Sequence, residues 1–386
     1  MNRLLVAAAV AVVVAATLVA VVLTRPGCSL EDTLDVAPSA TVSAAGSAPD
    51  LSSWELYPGP AFGVPRVHQV LSAADIDVIV SVRDGGGALV SGHPRGDPRP
   101  RWSVAVPGSG IRLALAGDRL AGATLHEGAR VFGLDVRTGA DRFCRSLGEV
   151  AVPGGFVAPG GWIPLAITGD AAVTAWTDDV DGPTVAAVGL RDGTPLWSVP
   201  GGGGALHGMD GGVLTGAGVF HRAADGAPAP GTGGERVVTA AGRTALVERD
   251  DELVALDAPT GTPRWAVPLR GRGELPGTVS AGDVVVTNDY ADDDGRDSLR
   301  GIDLHTGRIL WEGAAGSVAG RAQQILVADG GTVWAAGRHE LVRLDSRTGS
   351  GTPVRTGVPG LRELAVAPDG RVLLRLGDDL IGYTTR

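Results

Sequence analysis

A ring of four-stranded antiparallel blades, an all-β propeller, is the fold that three features of this 386-residue sequence predict. One line recurs along the chain: an apolar run, an Asp, two residues, Thr-Gly, and a large hydrophobe four positions later. Its copies are spaced at about the length of one four-stranded unit. Glycine is abundant, at 60 residues, and aromatics make up only 4%, a composition suited to many short strands joined by tight turns.

The clearest copy runs from Leu253 to Trp265, with Asp257, Thr260 and Gly261 in the turn. Val131–Phe143 and Arg300–Trp311 repeat it. The apolar run before the Asp suits a strand buried on at least one face. The Asp carboxylate accepts backbone N–H bonds two residues on and so starts a turn. The Gly supplies the positive φ that closes it. The ring on the next strand fills the gap against the neighbouring unit, which makes Trp102, Trp197, Trp265 and Trp311 structural. Weaker copies are Leu89–Trp102, Val188–Trp197, Val219–Gly226 and Leu341–Gly349. The turn glycines fall at 96, 139, 193, 226, 261, 307 and 349, an average spacing of about 42 residues, against roughly 40–45 for a four-stranded blade.

The line A-L-D-x-x-T-G-x-x-x-W resembles the repeat of the quinoprotein-type β-propellers. That group includes quinone-dependent dehydrogenases and the non-enzymatic BamB-type propeller lipoproteins of outer-membrane assembly. The resemblance spans roughly residues 52–386 and speaks to the fold. It leaves activity open, because one fold carries many functions.

Four segments are expected: a short cytoplasmic end at 1–3, a transmembrane anchor at 4–23, a flexible linker at 24–51 and a propeller at 52–386. Leu4–Leu23 contains Thr17 as its only polar member, and a helix of twenty residues spans about 30 Å, the thickness of a bilayer's hydrocarbon core. A cleavable leader has a shorter apolar region followed by a small-x-small site, which Thr24-Arg-Pro-Gly-Cys28 does not provide. An uncleaved single-pass anchor is therefore favoured. Arg3 on one side, with Glu31, Asp32 and Asp35 on the other, favours an extracytoplasmic propeller. Cys28 raises lipid attachment as an alternative: Gly27 fits such a site and Arg25 does not. Cys144 is the only other cysteine. A Cys28–Cys144 disulfide is permitted outside the cell, but Cys28 sits in the linker, so two unpaired thiols are expected. The linker itself is rich in Ala, Ser, Pro and Asp and reads as a flexible spacer.

At the other end, Arg371–Tyr383 contains two strands and lacks the outer strand that follows the turn in other units. Trp54–Tyr57 is expected to supply it and close the ring, which removes exposed sheet edges. This gives eight blades, or seven if the faint Val219–Gly226 unit is not a blade.

Several chemistries are excluded. All 33 basic residues are Arg, so neither a Walker phosphate loop nor a Schiff-base lysine is available. The seven His residues are scattered, without zinc-ligand spacing. His305 reads as a solvated turn residue. No G-x-S-x-G elbow occurs. A net charge of −10 argues against nucleic-acid binding. Quinone enzymes of the resembled type are implied to be longer and to hold calcium through Asn and Glu beside a catalytic Asp. Here Asn288 is the only Asn of the domain, followed by Asp289, and no matching ligand set surrounds it in sequence. No catalytic, cofactor or metal residues are therefore assigned.

Acidic loops are the most suggestive surface feature. Asp178, Asp179 and Asp181 form one, Asp250 and Asp251 a second, Asp292, Asp293, Asp294 and Asp297 a third, and Asp378 and Asp379 a fourth. Each precedes a motif strand, so each belongs to the turn between second and third strands and all are expected on one rim. Such a rim could dock an Arg-rich partner or hold calcium weakly, although Thr177 and Tyr290 occupy the first position of the calcium-loop pattern. Hairpin tips kept wet for solubility are the plain alternative. Trp162, Trp176 and the Gly-Pro segment 152–161 fall outside the motif, in a long connection of the kind where binding function tends to sit. The expectation is a monomeric, non-enzymatic, membrane-tethered scaffold that binds an envelope protein and no nucleic acid. The alternatives are a small-molecule or calcium sensor and a quinone-dependent dehydrogenase.

Overall fold

The computed structural model describes residues 31–32, 51–57 and 66–385, apart from residues 74, 84–86, 96–99, 127, 149–162, 179–181, 202–203, 270–276, 290–297, 314–321, 330, 338–339, 357–360, 367–371 and 377–378. Among the described residues the strands sort into eight antiparallel sheets, each with four consecutive strands except at the two ends of the chain. The first strands of the sheets are Arg66–Ser72, Ser109–Ala116, Leu165–Thr168, Leu206–Met209, Val237–Ala241, Thr278–Ala281, Ala322–Asp329 and Leu361–Val366. Each lies against the first strand of the next sheet, and the eighth lies against the first, so the order is cyclic. This is a β-propeller, with the first strands lining its centre and each sheet running outward.

The hydrophobic core sits between sheets rather than within any one of them. One cluster joins Val78, Val90 and Trp102 of the first sheet to Leu113, Leu120 and Phe132 of the second. The next joins Ala121, Val131 and Phe143 to Trp176, Ala186 and Val188. Middle strands therefore meet a neighbour on both faces and lose the alternating pattern: in Ile76–Val82 the first five residues are all buried. Outer strands such as Thr262–Pro268 are mostly exposed.

A single joint repeats between successive sheets. The ring of Trp102 lies against Gly139 of the next sheet, Phe143 against Gly193, Trp197 against Gly226, Trp265 against Gly307 and Trp311 against Gly349. A Cβ on any of these five glycines would fall within 2.7 Å of the ring. Each glycine also has positive φ, between 64° and 72°, so both space and backbone demand glycine there. Four indole N–H groups donate across the same joint: Trp102 to the Val136 carbonyl, Trp197 to Ala223, Trp265 to Leu304 and Trp311 to Ser346, at 2.6–2.9 Å. Within its own sheet each ring faces a small residue on the third strand: Gly92, Gly133, Ala187, Ala255 or Gly301. The register shifts next to Phe143, Trp197, Trp265 and Trp311. The one-residue bulge redirects the outer strand there.

The faint unit around Val219–Gly226 is a sheet of short strands, ending with Phe220–Arg222 and Pro228–Ala229. It carries no aromatic in the joint: Gly261 of the next sheet meets Pro230 and the Gly231 carbonyl instead.

The chain ends share the first and last sheets. Leu51–Tyr57 pairs with Asp379–Thr385 as the outer strand of the eighth sheet, from Leu51 opposite Thr385 to Tyr57 opposite Leu380. Glu31–Asp32 adds a fifth strand to the first sheet, with Glu31 opposite Ala105 and Asp32 opposite Val104. The 24–51 stretch is thus not a free spacer throughout. The expectation of two free thiols is also corrected. Cys144 is disulfide-bonded, and no free cysteine occurs among the described residues; Cys28 lies outside them. The apolar run Leu4–Leu23 lies outside the described residues, among which no helix is long and apolar enough to cross a membrane.

Replacing Trp102, which is 5% exposed, by Ala is expected to cost about 3–5 kcal/mol. Gly139→Ala is expected to destabilise by at least ~1–2 kcal/mol from its left-handed backbone alone, with the clash against Trp102 added. Urea unfolding followed by tryptophan fluorescence reads both effects.

Candidate partner-binding faces

Antiparallel alternation sorts the turns of every sheet onto two faces. Turns between first and second strands and between third and fourth strands share one end. Turns between second and third strands share the other, with the connections to the next sheet. The Asp-Thr-Gly turns thus occupy one face, and the second-to-third turns, that of Asp250 and Asp251 among them, occupy the opposite one.

On that second face the structure places four of the eleven candidate acids. Asp178 ends the second strand of the third sheet and Asp379 begins the third strand of the eighth. Asp250 and Asp251 form the corresponding turn of the fifth sheet, between Thr244–Arg249 and Glu252–Asp257. Both are exposed, and Asp250 takes a φ of 51°, a left-handed conformation that a short polar side chain tolerates. Beside them Arg249 holds Glu235 through two hydrogen bonds of 2.6 and 3.0 Å, and Arg236 faces Glu248 at 3.7 Å. Asp179, Asp181, Asp292, Asp293, Asp294, Asp297 and Asp378 lie outside the described residues, as do Trp162 and the 152–161 segment. Trp176 is buried in the core between the second and third sheets.

On the first face each turn Asp performs the same local task. One carboxylate oxygen of Asp303 accepts from the backbone N–H of His305 and of Thr306 and from the Thr306 hydroxyl, at 2.8–3.1 Å. Asp345 does the same with Arg347 and Thr348. The Thr306 hydroxyl leads the interactions that hold the Asp303 carboxyl below its ordinary range, and the Thr348 hydroxyl does so for Asp345. Burial pushes Asp257 up, but hydrogen bonds from Arg264, Thr260 and Arg243 more than offset it. The second oxygen of Asp257 accepts from Arg264 at 2.6 Å, and Arg142 reaches Asp135 in the same way. Both arginines sit at the bulge before the joint aromatic.

This face also carries acids that the sequence reading passed over. Asp75, Asp118, Asp170, Asp210 and Asp283 stand at or beside the tips of first-to-second-strand hairpins, close to the propeller centre, and all five are exposed. Their signal was legible: Asp beside a glycine ahead of the second strand recurs in Gly117-Asp118, Gly169-Asp170, Asp210-Gly211 and Gly282-Asp283. Cations compensate part of the charge. Arg137 approaches Asp75 at 3.7 Å, Arg119 approaches Asp170 at 3.9 Å and Arg347 approaches Asp283 at 3.2 Å. His305, expected as a solvated turn residue, is exposed and 3.4 Å from Asp283. A cavity of about 400 Å³ opens here between the first two sheets, lined by Ser72, Ala73, Asp75, Leu115, Asp118 and Arg137 among others.

Groups suited to chemistry are dispersed or structural. Asn288 is buried, and its backbone N–H donates to the Gly277 carbonyl. His221 is buried against Trp197, with ring centroids 6.2 Å apart, and its Nδ1 lies 3.1 Å from the Gly226 carbonyl. Burial lowers the pKa of His207 on the inner strand of the fourth sheet. Among the described residues no three His, Cys, Asp or Glu side chains gather closely enough to hold a metal ion.

Residues 181–352 match the family described as outer membrane protein assembly factor BamB. Among solved structures, BamB from Moraxella catarrhalis aligns with a TM-score of 0.53 at 18% identity, covering 85% of this chain and 97% of that one. The computationally designed Ika8 protein aligns at 0.57 and 14% identity, covering 87% and 99%. A quinohemoprotein alcohol dehydrogenase from Pseudomonas putida HK5 aligns at 0.52 and 11%, covering 87% and 76%. No curated protein matches the sequence. The structural likeness is one of fold.

The turn carboxylates give acid sensitivity a definite sign. Asp303 and Asp345 titrate below the ordinary value of about 3.9. Their stabilisation is therefore fully present above pH ~4 and lost as the pH falls through the lower folded values. Urea midpoints measured between pH 7 and pH 2 are expected to hold level down to about pH 4 and then fall. Thr348→Val, which removes one donor to Asp345, is expected to cost about 0.5–1 kcal/mol at pH 7.

Proposed function

We propose that this chain is a membrane-tethered, extracytoplasmic scaffold: a monomeric eight-bladed propeller that binds an envelope protein and performs no reaction of its own. The observation that carries the reading is the match of residues 181–352 to the family of an outer membrane assembly factor. The cyclic contact of first strands from the first sheet through the eighth and back supports eight blades. The pairing of Leu51–Tyr57 with Asp379–Thr385 supports closure of the ring by the two ends of the chain. The run Leu4–Leu23 supports the anchor, and the disulfide at Cys144 suits an oxidising compartment outside the cytoplasm.

The two faces differ in what they offer a partner. Turn carboxylates of the Asp-Thr-Gly face accept from turn N–H or hydroxyl groups, and Asp75, Asp170 and Asp283 of the same face are approached by arginines. Acids of the other face stand at hairpin tips, with Asp250 and Asp251 exposed. A basic segment of the partner docks there, and rim charges of this kind act mainly on association rate and salt dependence.

Cross-linking and affinity enrichment of the tagged full-length protein from its native membranes tests the proposal. It is run beside a variant with Asp292, Asp293, Asp294 and Asp297 changed to Ser. One envelope partner is expected, with capture at least about ten-fold weaker in the variant and falling with added salt. A protein that captures no partner, yet binds calcium or quinone and turns over an alcohol with an artificial electron acceptor, contradicts it.

A further inference from the structure

The cavity between the first two sheets joins an apolar wall to a charged mouth. Ala73, Leu115 and Val136 line it. Val136 belongs to the apolar cluster between these sheets, and Ala73 and Leu115 pack against that cluster. Asp75 of the first sheet and Asp118 of the second also line it. Their side chains are 51% and 73% exposed, which puts both carboxylates at the solvent end. Backbone bonds set the walls: the Ala73 N–H donates to the Ile76 carbonyl at 2.9 Å and the Val136 N–H to the Asp118 carbonyl at 3.2 Å. The Val136 carbonyl accepts from Trp102. The joint that fastens the two sheets thus also shapes the cavity, and a ligand does not have to order it.

We propose that this cavity binds a small organic cation, an apolar group of about phenyl size that bears one ammonium. The apolar part lies on Ala73, Leu115 and Val136, and the ammonium meets Asp75 and Asp118. Cations of the protein neutralise the mouth only in part. Arg137 approaches Asp75 at 3.7 Å, while Arg119 is shared between Asp118 at 4.0 Å and Asp170 at 3.9 Å. Exposed pairs of this kind are weak, so an incoming ammonium displaces them at little cost. A carboxylate ligand would meet two acids, and an arginine already turned to one of them. The volume of about 400 Å³ falls at the small end of ligand pockets, roughly 300–1,000 Å³, and admits one such molecule. The site is separate from the acidic loops of the opposite face, so it does not rest on the scaffold reading.

Three probes that share a skeleton and differ in charge test the assignment: 2-phenylethylamine, 2-phenylethanol and 3-phenylpropanoate. Each is titrated by saturation-transfer NMR into the full-length protein in detergent. An Ala73→Trp variant, whose indole fills the cavity, is run in the same detergent to subtract partition into the micelle. The amine is expected to bind at least about five-fold more tightly than the alcohol, with the carboxylate weakest. Asp75→Asn combined with Asp118→Asn is expected to bring the amine to the alcohol's level, and added salt to narrow the gap between them. Arg137→Gln removes the competing cation and is expected to tighten amine binding about two-fold. If Ala73→Trp fails to fold, the exposed Asp pair decides alone. An amine that binds no better than the alcohol, a carboxylate that binds best, or amine binding unchanged by the Asp substitutions overturns the assignment. Capture of an envelope partner is a separate readout, and neither result decides the other.

Discussion

A flat aromatic ring against a glycine that no other residue can replace is the contact on which this propeller depends. The glycine belongs to a turn of the next sheet, so every such pair fastens one unit to its neighbour. Trp311 illustrates the economy of the joint. Its ring covers Gly349, its N–H donates to the Ser346 carbonyl at 2.6 Å, and its other face meets Gly301 on its own sheet. The Asp345 that opens its turn is held by the turn's own N–H groups, which fixes the glycine in place against the ring. Local turn chemistry and inter-sheet packing are therefore one device, repeated.

Because the core lies between sheets, no sheet is stable alone and the stability of each is shared with two neighbours. The ring then presents only turns to solvent at its two faces, and those turns tolerate wide variation without disturbing the strands. The face of Asp-Thr-Gly turns spends its turn carboxylates on structure, while Asp75, Asp118, Asp170, Asp210 and Asp283 stand exposed nearer the centre. The opposite face leaves Asp250 and Asp251 exposed at a hairpin tip.

The fold was legible in the sequence because Asp, Gly and Trp each do something that no other residue does as well, at a fixed spacing. Where one of them is replaced, legibility fell with it. The fourth sheet was faint because Pro230 stands where other joints have an aromatic. The acids beside the first-to-second hairpins, such as Asp118 and Asp283, stand singly rather than in runs, so no cluster of charge marks them in the sequence. Part of the acidic rim, Asp292 to Asp297 above all, lies outside the described residues, so its grouping rests on position between strands.

A double-mutant cycle at one joint tests the central claim most directly. Trp311→Ala, Gly349→Ala and the double variant are unfolded in urea beside the wild type. The left-handed backbone at residue 349, with φ of 64°, penalises alanine in both backgrounds and cancels in the cycle. The clash with the ring does not cancel. The predicted result is that Gly349→Ala costs markedly less once the tryptophan is gone, with a coupling of about 1–3 kcal/mol. Additive effects, to within about 0.5 kcal/mol, would show that the ring and the glycine do not act as one joint and would contradict the account.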